Sequence, residues 1–185
     1  MECEEIRIDT REFTPEDYAE NRRQTELLFR LAHTLPTGEE YKQLLKELFG
    51  DNLGEGSYIA APLSGASLEK LKIGRNVYIN NNFLAMASGG IIIEDDVKIA
   101  AYASVISNNH DPYERPVLTC KPVLIKKGAW IGAHAIILPG VCVGRYAIIA
   151  AGAVVHKDVP DYAVAAGNPA RVVKHLEEAG FPAET

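Results

Sequence analysis

The chain has 185 residues, a formal net charge of −6 and a hydrophobic fraction of 47%. This length fits one domain with at most an appendage, and the negative charge argues against a nucleic-acid surface. The acidic start, Met1 to Glu5, lacks the basic and then apolar pattern of a signal peptide, and no apolar run approaches the roughly 18 residues that span a bilayer. The three cysteines, Cys3, Cys120 and Cys142, form no CxxC pair, so neither a disulfide framework nor a zinc knuckle is indicated, and a cytoplasmic location is expected.

Residues 1–52 are predicted to form an N-terminal helical segment. Residues 1–12 are polar and are expected to be irregular. A hydroxyl cap, a proline and two acids at 14–17 then start a helix, and a second helix starts at Thr37. The apolar residues at helical spacing are Leu27, Leu28, Leu31, Tyr41, Leu44, Leu45 and Leu48. We expect a helical hairpin over residues 14–49 that packs against the rest of the chain.

A six-residue repeat runs through residues 125–160. The aliphatic block leaders are Ile125, Ile131, Ile137, Val143, Ile149 and Val155, and the small or branched residues four positions later are Ala129, Ala135, Val141, Ala147, Ala153 and Val159. A strict period of six fits neither a helix nor an isolated strand, and Gly and Pro interrupt the run too often for long strands. It is typical of a chain wound around a prism with one short strand per face, in which stacked turns cover each other's apolar inside.

The same register appears upstream, with two short breaks. Its leaders there are Leu53, Ile59, Ile73, Ile79, Ile93, Ile99 and Val105. The segment 107–122 is polar and rich in proline, and we interpret it as a loop extruded from the prism wall, where binding and catalytic residues are often found. The prism is predicted over residues 53–170. Residues 171–185 are predicted to form a short C-terminal helix, from Arg171 to Ala179, and a tail.

Several motifs along the repeat are shared with one family. They are Tyr78-Ile79-Asn80-Asn81-Asn82, His110 at the start of the extruded segment, Trp130-Ile131-Gly132, Leu138-Pro139-Gly140-Val141, Ala151-Gly152-Ala153-Val154-Val155 with Lys157-Asp158-Val159-Pro160, and Ala166-Gly167-Asn168-Pro169-Ala170-Arg171-Val172-Val173. With these motifs the chain resembles the hexapeptide-repeat acyltransferases, and within them the maltose/galactoside O-acetyltransferase branch. The resemblance implies a mainly β fold, a left-handed parallel β-helix with an N-terminal helical hairpin, and a homotrimer with active sites between subunits.

The resemblance also implies an acetyl-CoA-dependent acetyltransferase that modifies a hydroxyl of a small, sugar-like acceptor by direct transfer, without a metal. His110 has the position of the family's general base, and imidazole suits this role because it titrates near neutral pH. Asn80 matches an asparagine at the acetyl end of the coenzyme, and the N–H of Ala133 matches the donor to the developing thioester oxyanion. Cations near the end of the repeat suit the coenzyme's phosphates. The remaining expected coenzyme positions are Trp130, Ala151, His156, Lys157, Arg171 and Lys174.

Departures from the family pattern leave the acceptor open. Ala87 and Ser88 stand where the family has an acid that binds sugar hydroxyls, and residues 64–67 read Ser-Gly-Ala-Ser where the family has an aromatic and polar stretch. A site that recognises sugar hydroxyls needs buried partners for them. An amine or a xenobiotic alcohol is therefore an alternative acceptor. His156 also departs from the family, which often has a hydroxyl residue there.

Three other interpretations compete with this one. Cys142 as an acyl carrier is disfavoured because it lies inside the repeat and is expected to be buried. A γ-type carbonic anhydrase shares the prism fold, but His110, His134 and His156 lack the close histidine pair of that family. A non-enzymatic β-helix that binds a partner is the alternative from a different class, and it predicts that acetyl-CoA does not stabilise the fold.

Overall fold

The computed structural model describes residues 4–181, which contain two α-helices and 19 strands. The helices are α1 (Pro15–Ala32) and α2 (Glu39–Phe49). The strands in chain order are β1 (Ile6–Asp9), β2 (Tyr58–Ile59), β3 (Leu63–Ala66), β4 (Leu71–Ile73), β5 (Tyr78–Ile79), β6 (Phe83–Met86), β7 (Ile91–Ile93), β8 (Lys98–Ile99), β9 (Ser104–Ile106), β10 (Asn108–His110), β11 (Val117–Cys120), β12 (Val123–Ile125), β13 (Trp130–Ile131), β14 (Ile136–Ile137), β15 (Cys142–Val143), β16 (Ile148–Ile149), β17 (Val154–Val155), β18 (Ala163–Ala166) and β19 (Arg171–His175). Neither helix of this part of the chain is long and apolar enough to cross a membrane.

Most strands stack into three parallel sheets, which form the faces of a prism. Face I contains β4, β7, β12 and β15, face II contains β2, β5, β8, β13, β16 and β18, and face III contains β3, β6, β9, β14 and β17. The chain visits the faces in the order I, II, III. Edge II–III is the corner between face II and face III, and edge III–I is the corner between face III and face I of the next turn. The predicted parallel β-helix is confirmed, and each face is held by hydrogen bonds between successive turns.

The inside of the prism is filled as the six-residue repeat predicts. The leaders Ile125, Ile131 and Ile137 are fully buried, and so are the alanines four positions after a leader, such as Ala129 and Ala135. Burying one such isoleucine stabilises the fold by roughly 1.5–3 kcal/mol. A larger residue at an alanine position has no room, because protein interiors are close-packed.

The breaks in the repeat add length to a turn without ending the prism. Tyr58, Tyr78 and Lys98 are register partners on face II, so the first two turns each span 20 residues. Trp130 and Ile148 are partners one turn apart and are separated by 18 residues, which is three blocks of six. The longer strands β3 and β6 on face III accommodate part of the extra length.

The open lower end of the prism is covered by the helical hairpin. In the second turn, the carbonyl of Ile79 accepts from the N–H of Ala60 in the turn below, at 2.8 Å. The equivalent carbonyl of Ile59 has no turn beneath it, and the hydroxyl of Tyr41 on α2 donates to it at 2.7 Å. The buried Gln24 on α1 accepts from the N–H of Leu68 at 3.0 Å. The helices therefore satisfy the polar groups that the first turn leaves without partners.

Two predictions about the ends of the chain are wrong. Residues 6–9 were expected to be irregular, but they form β1, which pairs antiparallel with β11. The helix expected from Arg171 to Ala179 is replaced by β19, which pairs antiparallel with β18 on face II, and by a single 3-10 turn at Glu178–Gly180. The two differences have the same cause. The edges of β11 and β18 carry backbone groups that need hydrogen-bond partners, and pairing with these edges outweighs the weak local preference of a short polar segment.

We expect Tyr41→Phe to lower the free energy of unfolding by about 1–2 kcal/mol, because the buried carbonyl of Ile59 loses its donor. Burial raises the pKa of Tyr41 from its ordinary value of 10.0 to about 12. The hydroxyl therefore contributes stability in full below pH 10 and loses it as the pH rises from 10 to 12. Denaturant titrations across this range measure both effects, and a Tyr41→Phe variant with the parent's alkaline pH dependence would contradict the assignment.

Candidate active site

The predicted loop 107–122 is a β-hairpin that leaves the prism at edge III–I. Its strands β10 and β11 pair antiparallel, and β1 adds a third strand on the far side of β11. Val117, Leu118 and Cys120 are buried, which explains why this polar segment holds a fixed shape. The hairpin is thus an ordered element that carries His110 at the end of β10.

His110 is exposed, and one of its ring nitrogens has a fixed partner. Nδ1 lies 2.6 Å from the carbonyl oxygen of Arg115 on the opposite side of the hairpin turn. A carbonyl oxygen only accepts, so Nδ1 carries the proton in this contact. In the neutral ring Nε2 is then the unprotonated nitrogen, with its lone pair free. This is the form of histidine that can accept a proton from a bound hydroxyl.

Three of the predicted residues lie along edge II–III in different turns. Asn80 directly follows β5, whereas Ala133 and Ala151 each lie two residues after a strand of face II, in neighbouring turns where the N–H of Gly152 donates to the carbonyl of Ala133 at 2.8 Å. The Oδ1 of Asn80 accepts from the N–H of Asn81 at 2.8 Å, so its Nδ2 is the group left to face a ligand. Within residues 4–181 the N–H of Ala133 has no hydrogen-bond partner.

Trp130 lies on the outside of face II and is 53% exposed. Its register partners are Lys98 below and Ile148 above, and Tyr78 is two turns lower in the same outward row. Tyr58 and Tyr78 stack in this row with ring centroids 5.7 Å apart. The outward row of face II therefore presents two stacked tyrosines in its lower turns and, above Lys98, a separate exposed tryptophan.

The predicted phosphate-binding cations are only partly gathered. Lys157 and Arg171 line one cavity of about 210 Å³ at the upper end of the prism. Lys174 lies on β19, where it is the register partner of Val164 on face II. His156 is exposed at edge III–I beside Lys157, and it does not line this cavity.

The single chain does not join its two groups of predicted residues. His110, His156 and Lys157 are at edge III–I, whereas Asn80 is at edge II–III, on the other side of face III. No hydrogen bond links His110 to Asn80 in the described chain. Within one chain these two residues therefore lie on different edges of the prism.

A larger cavity beside the hairpin was missed by the sequence reasoning. It has a volume of about 340 Å³ and lies between β1, α1, the hairpin and edge III–I of the lower turns. Its polar lining residues are Arg7, Asp9, Glu12, Asp17, Glu20, Asn21, Ser67, Glu69, Lys70 and Ser88. Leu118, the register partner of His110, also lines it. Nothing local in the sequence indicated this cavity, because its wall depends on β1, which was expected to be irregular.

The residues of the competing interpretations lie elsewhere. Cys142 was expected to be buried, but it is a half-buried outward residue of face I, because it precedes the inward leader Val143. Burial raises the pKa of its thiol. His134 stacks on Tyr102 at edge II–III, with ring centroids 4.8 Å apart. Within residues 4–181 no three His, Cys, Asp or Glu side chains are grouped so that they could hold a metal ion. Cys3 lies outside the described residues.

Comparison with known proteins agrees with this architecture. Residues 122–157 match the family model for the bacterial transferase hexapeptide (six repeats). The galactoside O-acetyltransferase of Escherichia coli is 31% identical over 157 residues, which cover 82% of this chain and 77% of that protein. A hexapeptide-repeat acetyltransferase from Vibrio cholerae, solved in complex with acetyl coenzyme A, is 30% identical with a TM-score of 0.84 and covers 89% of this chain and 91% of its own. A maltose O-acetyltransferase from Clostridium difficile is 29% identical with a TM-score of 0.83, covering 89% and 90%.

These similarities confirm the left-handed parallel β-helix expected from the sequence. The chain belongs to the hexapeptide-repeat acetyltransferases, in the branch that includes the galactoside and maltose O-acetyltransferases. It is accordingly an acetyltransferase.

We expect Gly132→Ala to destabilise the turn that carries Ala133. A Cβ at Gly132 would lie 2.6 Å from the N of Ala151 and 2.7 Å from the O of Ile149, so the two turns would have to separate. Such overpacking costs about 1–3 kcal/mol. The control is Gly180→Ala, where a Cβ meets nothing within 4 Å and no positive φ opposes the change, so the expected cost is within about 0.5 kcal/mol. Equal or reversed losses of unfolding free energy would contradict the close approach at Gly132.

Proposed function

We propose that this protein transfers an acetyl group directly from acetyl-CoA to a hydroxyl of a small acceptor, with His110 as the general base. The observation that carries the proposal is the contact between Nδ1 of His110 and the carbonyl of Arg115. It leaves Nε2 as the basic nitrogen on an exposed side chain. Positioned bases of this kind accelerate a reaction by typically 10²–10⁴-fold.

The proposed reaction has one proton acceptor and one leaving group. Nε2 of His110 takes the proton of the acceptor hydroxyl while the hydroxyl oxygen attacks the thioester carbonyl carbon. The carbon–sulfur bond of the resulting tetrahedral species then breaks, and the departing sulfur takes the proton back from Nε2. The acetyl group moves from sulfur to oxygen with no enzyme-bound intermediate, and the histidine ends in its starting form.

Charge that develops on the thioester oxygen needs hydrogen-bond donors. The N–H of Ala133 has no partner among the described residues, which makes it available for this role. Among residues 4–181 the Nδ2 of Asn80 has no hydrogen-bond partner, while its Oδ1 accepts from the N–H of Asn81. We assign Ala133 to the oxyanion and Asn80 to the acetyl end of the coenzyme.

The rest of the coenzyme would follow the outside of the prism towards its upper end. Trp130 offers an exposed aromatic surface for the pantetheine arm, and Ala151 leaves edge II–III open one turn above Ala133. Lys157 and Arg171 share a cavity and supply the positive charge that phosphates require. The other proposed contacts at this end are Lys174 and His156.

The proposed assembly is a homotrimer with each site between two copies. The placement of His110 and Asn80 at different edges supports it, because a single chain lacks one half of the site. In a closed ring, edge III–I of one copy meets a different surface of the next copy. The acceptor would then reach His110 from the 340 Å³ cavity beside the hairpin.

Sugar-like alcohols are the proposed acceptors. Ser67 and Ser88 line the cavity, and their hydroxyls lie 3.2 Å apart, so they can hydrogen-bond an acceptor hydroxyl. The related proteins are named for galactoside and maltose acceptors. The identity of the acceptor is best found by screening alcohols and amines for release of free coenzyme-A thiol.

We expect His110→Ala to lower kcat by at least about 100-fold while leaving the affinity for acetyl-CoA unchanged, because only the base is removed. Coenzyme-thiol release measures kcat, and isothermal titration measures binding. His33→Ala is the matched control, since His33 is an exposed histidine at the end of α1. Near-normal turnover of His110→Ala would refute the role of His110.

A subunit-mixing experiment tests the shared site. His110→Ala and Asn80→Ala chains are each expected to be nearly inactive alone. When equal amounts are unfolded and reassembled together, about one quarter of the interfaces pair an intact His110 with an intact Asn80, so about one quarter of the parent activity returns. Recovery below a few per cent, with mixed trimers demonstrated by mass spectrometry, means that both residues serve one chain's own site.

A further inference from the structure

The N-terminal segment holds the hairpin that carries His110. Four residues of β1 pair with β11. Just beyond β1, the N–H and the hydroxyl of Thr10 donate to the carbonyl of Pro116, at 3.0 and 2.9 Å. Arg11 forms an ion pair with Glu114. The tip of the hairpin is therefore fixed from a part of the chain more than a hundred residues away.

Asp111 uses both carboxylate oxygens to hold the turn. Its Oδ1 accepts from the backbone N–H groups of Tyr113 and Glu114, at 2.8 and 3.0 Å. Its Oδ2 accepts from the guanidinium of Arg7 on β1, at 2.7 Å. The Arg7 guanidinium and these two N–H groups lower the pKa of Asp111 to about 2, so the carboxylate stays ionised in neutral solution.

The turn that Asp111 holds contains the partner of His110. Arg115, whose carbonyl receives the Nδ1 proton, lies between Glu114 and Pro116. Glu114 is held by Asp111, and Pro116 is held by Thr10. The position of the Arg115 carbonyl is thus set from both sides, and His110 itself is the neighbour of Asp111 in the chain.

We infer that Asp111, anchored by Arg7, is a positioning residue that sets the tautomer of His110. It holds the turn so that the Arg115 carbonyl binds the Nδ1 proton and Nε2 stays unprotonated. The inference rests on the proposed role of His110 as the base, and it adds two residues that act through the hairpin turn, of which Arg7 also lines the cavity proposed for the acceptor. Loss of the anchor lets the ring populate the other tautomer, which carries its proton on Nε2 and cannot accept one there.

Four variants separate the anchor from the turn. Arg7→Met removes the ion pair, and Arg7→Lys keeps a cation in place. Asp111→Asn keeps an oxygen for the two N–H groups but loses the charge, whereas Asp111→Ala loses both. Arg75→Met is the matched control, because Arg75 forms an exposed ion pair with Asp95, whose carboxylate also accepts a backbone N–H, in a turn remote from His110.

Two readouts are needed for each full-length variant. One is kcat together with KM for acetyl-CoA. The other is the tautomer of His110 from histidine ¹⁵N chemical shifts, with the signals assigned by their loss in His110→Gln. We expect Arg7→Met and Asp111→Ala to lower kcat about tenfold with KM unchanged within about twofold, and to shift His110 towards the Nε2-protonated form. Arg7→Lys should restore most of the activity, Asp111→Asn should fall between, and Arg75→Met should match the parent.

The outcomes distinguish this inference from the proposed function. An unchanged His110 tautomer in both Arg7→Met and Asp111→Ala overturns the positioning role, whatever the activity. A shifted tautomer with normal kcat supports the positioning role but refutes His110 as the base. If Asp111→Ala fails to fold, Arg7→Met and Asp111→Asn decide the question, because both preserve a side-chain acceptor for the turn.

Discussion

The structure depends on the stacking of turns whose inward residues are fixed in size. Each turn buries its leaders against those above and below, and each hydrogen-bonds its neighbours along three faces. The alanines at positions such as 129 and 147 let the walls come close enough for this. The cost is that the first and last turns have unpaired backbone groups. Tyr41 supplies a hydrogen-bond partner at the lower end, and β19 pairs with the exposed edge of β18 at the upper end.

A rigid stack also determines where chemistry can occur. Inward positions are filled and the faces are regular, so ligand-binding residues must lie on edges, on outward rows or on insertions. The proposed site draws on all three, with Asn80 and Ala133 on an edge, Trp130 on an outward row and His110 on an insertion. Because the edges of one prism lie apart, the proposed site takes its residues from two copies. In this proposal, the separation of the edges explains both where the catalytic residues lie and why copies of the chain assemble.

Much of the fold was predictable because the sequence information is local. A leader and its partner small residue recur within six positions, so Ile131 and Ala135 identify their own environment without knowledge of the rest of the chain. The helix start at Thr14 is equally local, and its capping box with Asp17 is present. The pairing of β1 with the hairpin was not predictable, since Arg7 and Asp111 are 104 positions apart and meet only through strand register. Arg171–His175 was assigned wrongly because the unpaired edge of β18 decides its conformation.

The candidate site also combines features that are local in the sequence with features that depend on distant contacts. Motifs alone suggested His110, Asn80 and Ala133 as candidate site residues, but the tautomer of His110 depends on the Arg115 carbonyl across a turn. A crystal structure of the assembled protein with coenzyme A tests the account most directly. We predict the coenzyme sulfur within about 3–3.5 Å of Nε2 of one copy's His110, with the acetyl-bearing end of the coenzyme at the Ala133 N–H of its neighbour. A coenzyme bound along a single chain, with its sulfur remote from every His110, would contradict it.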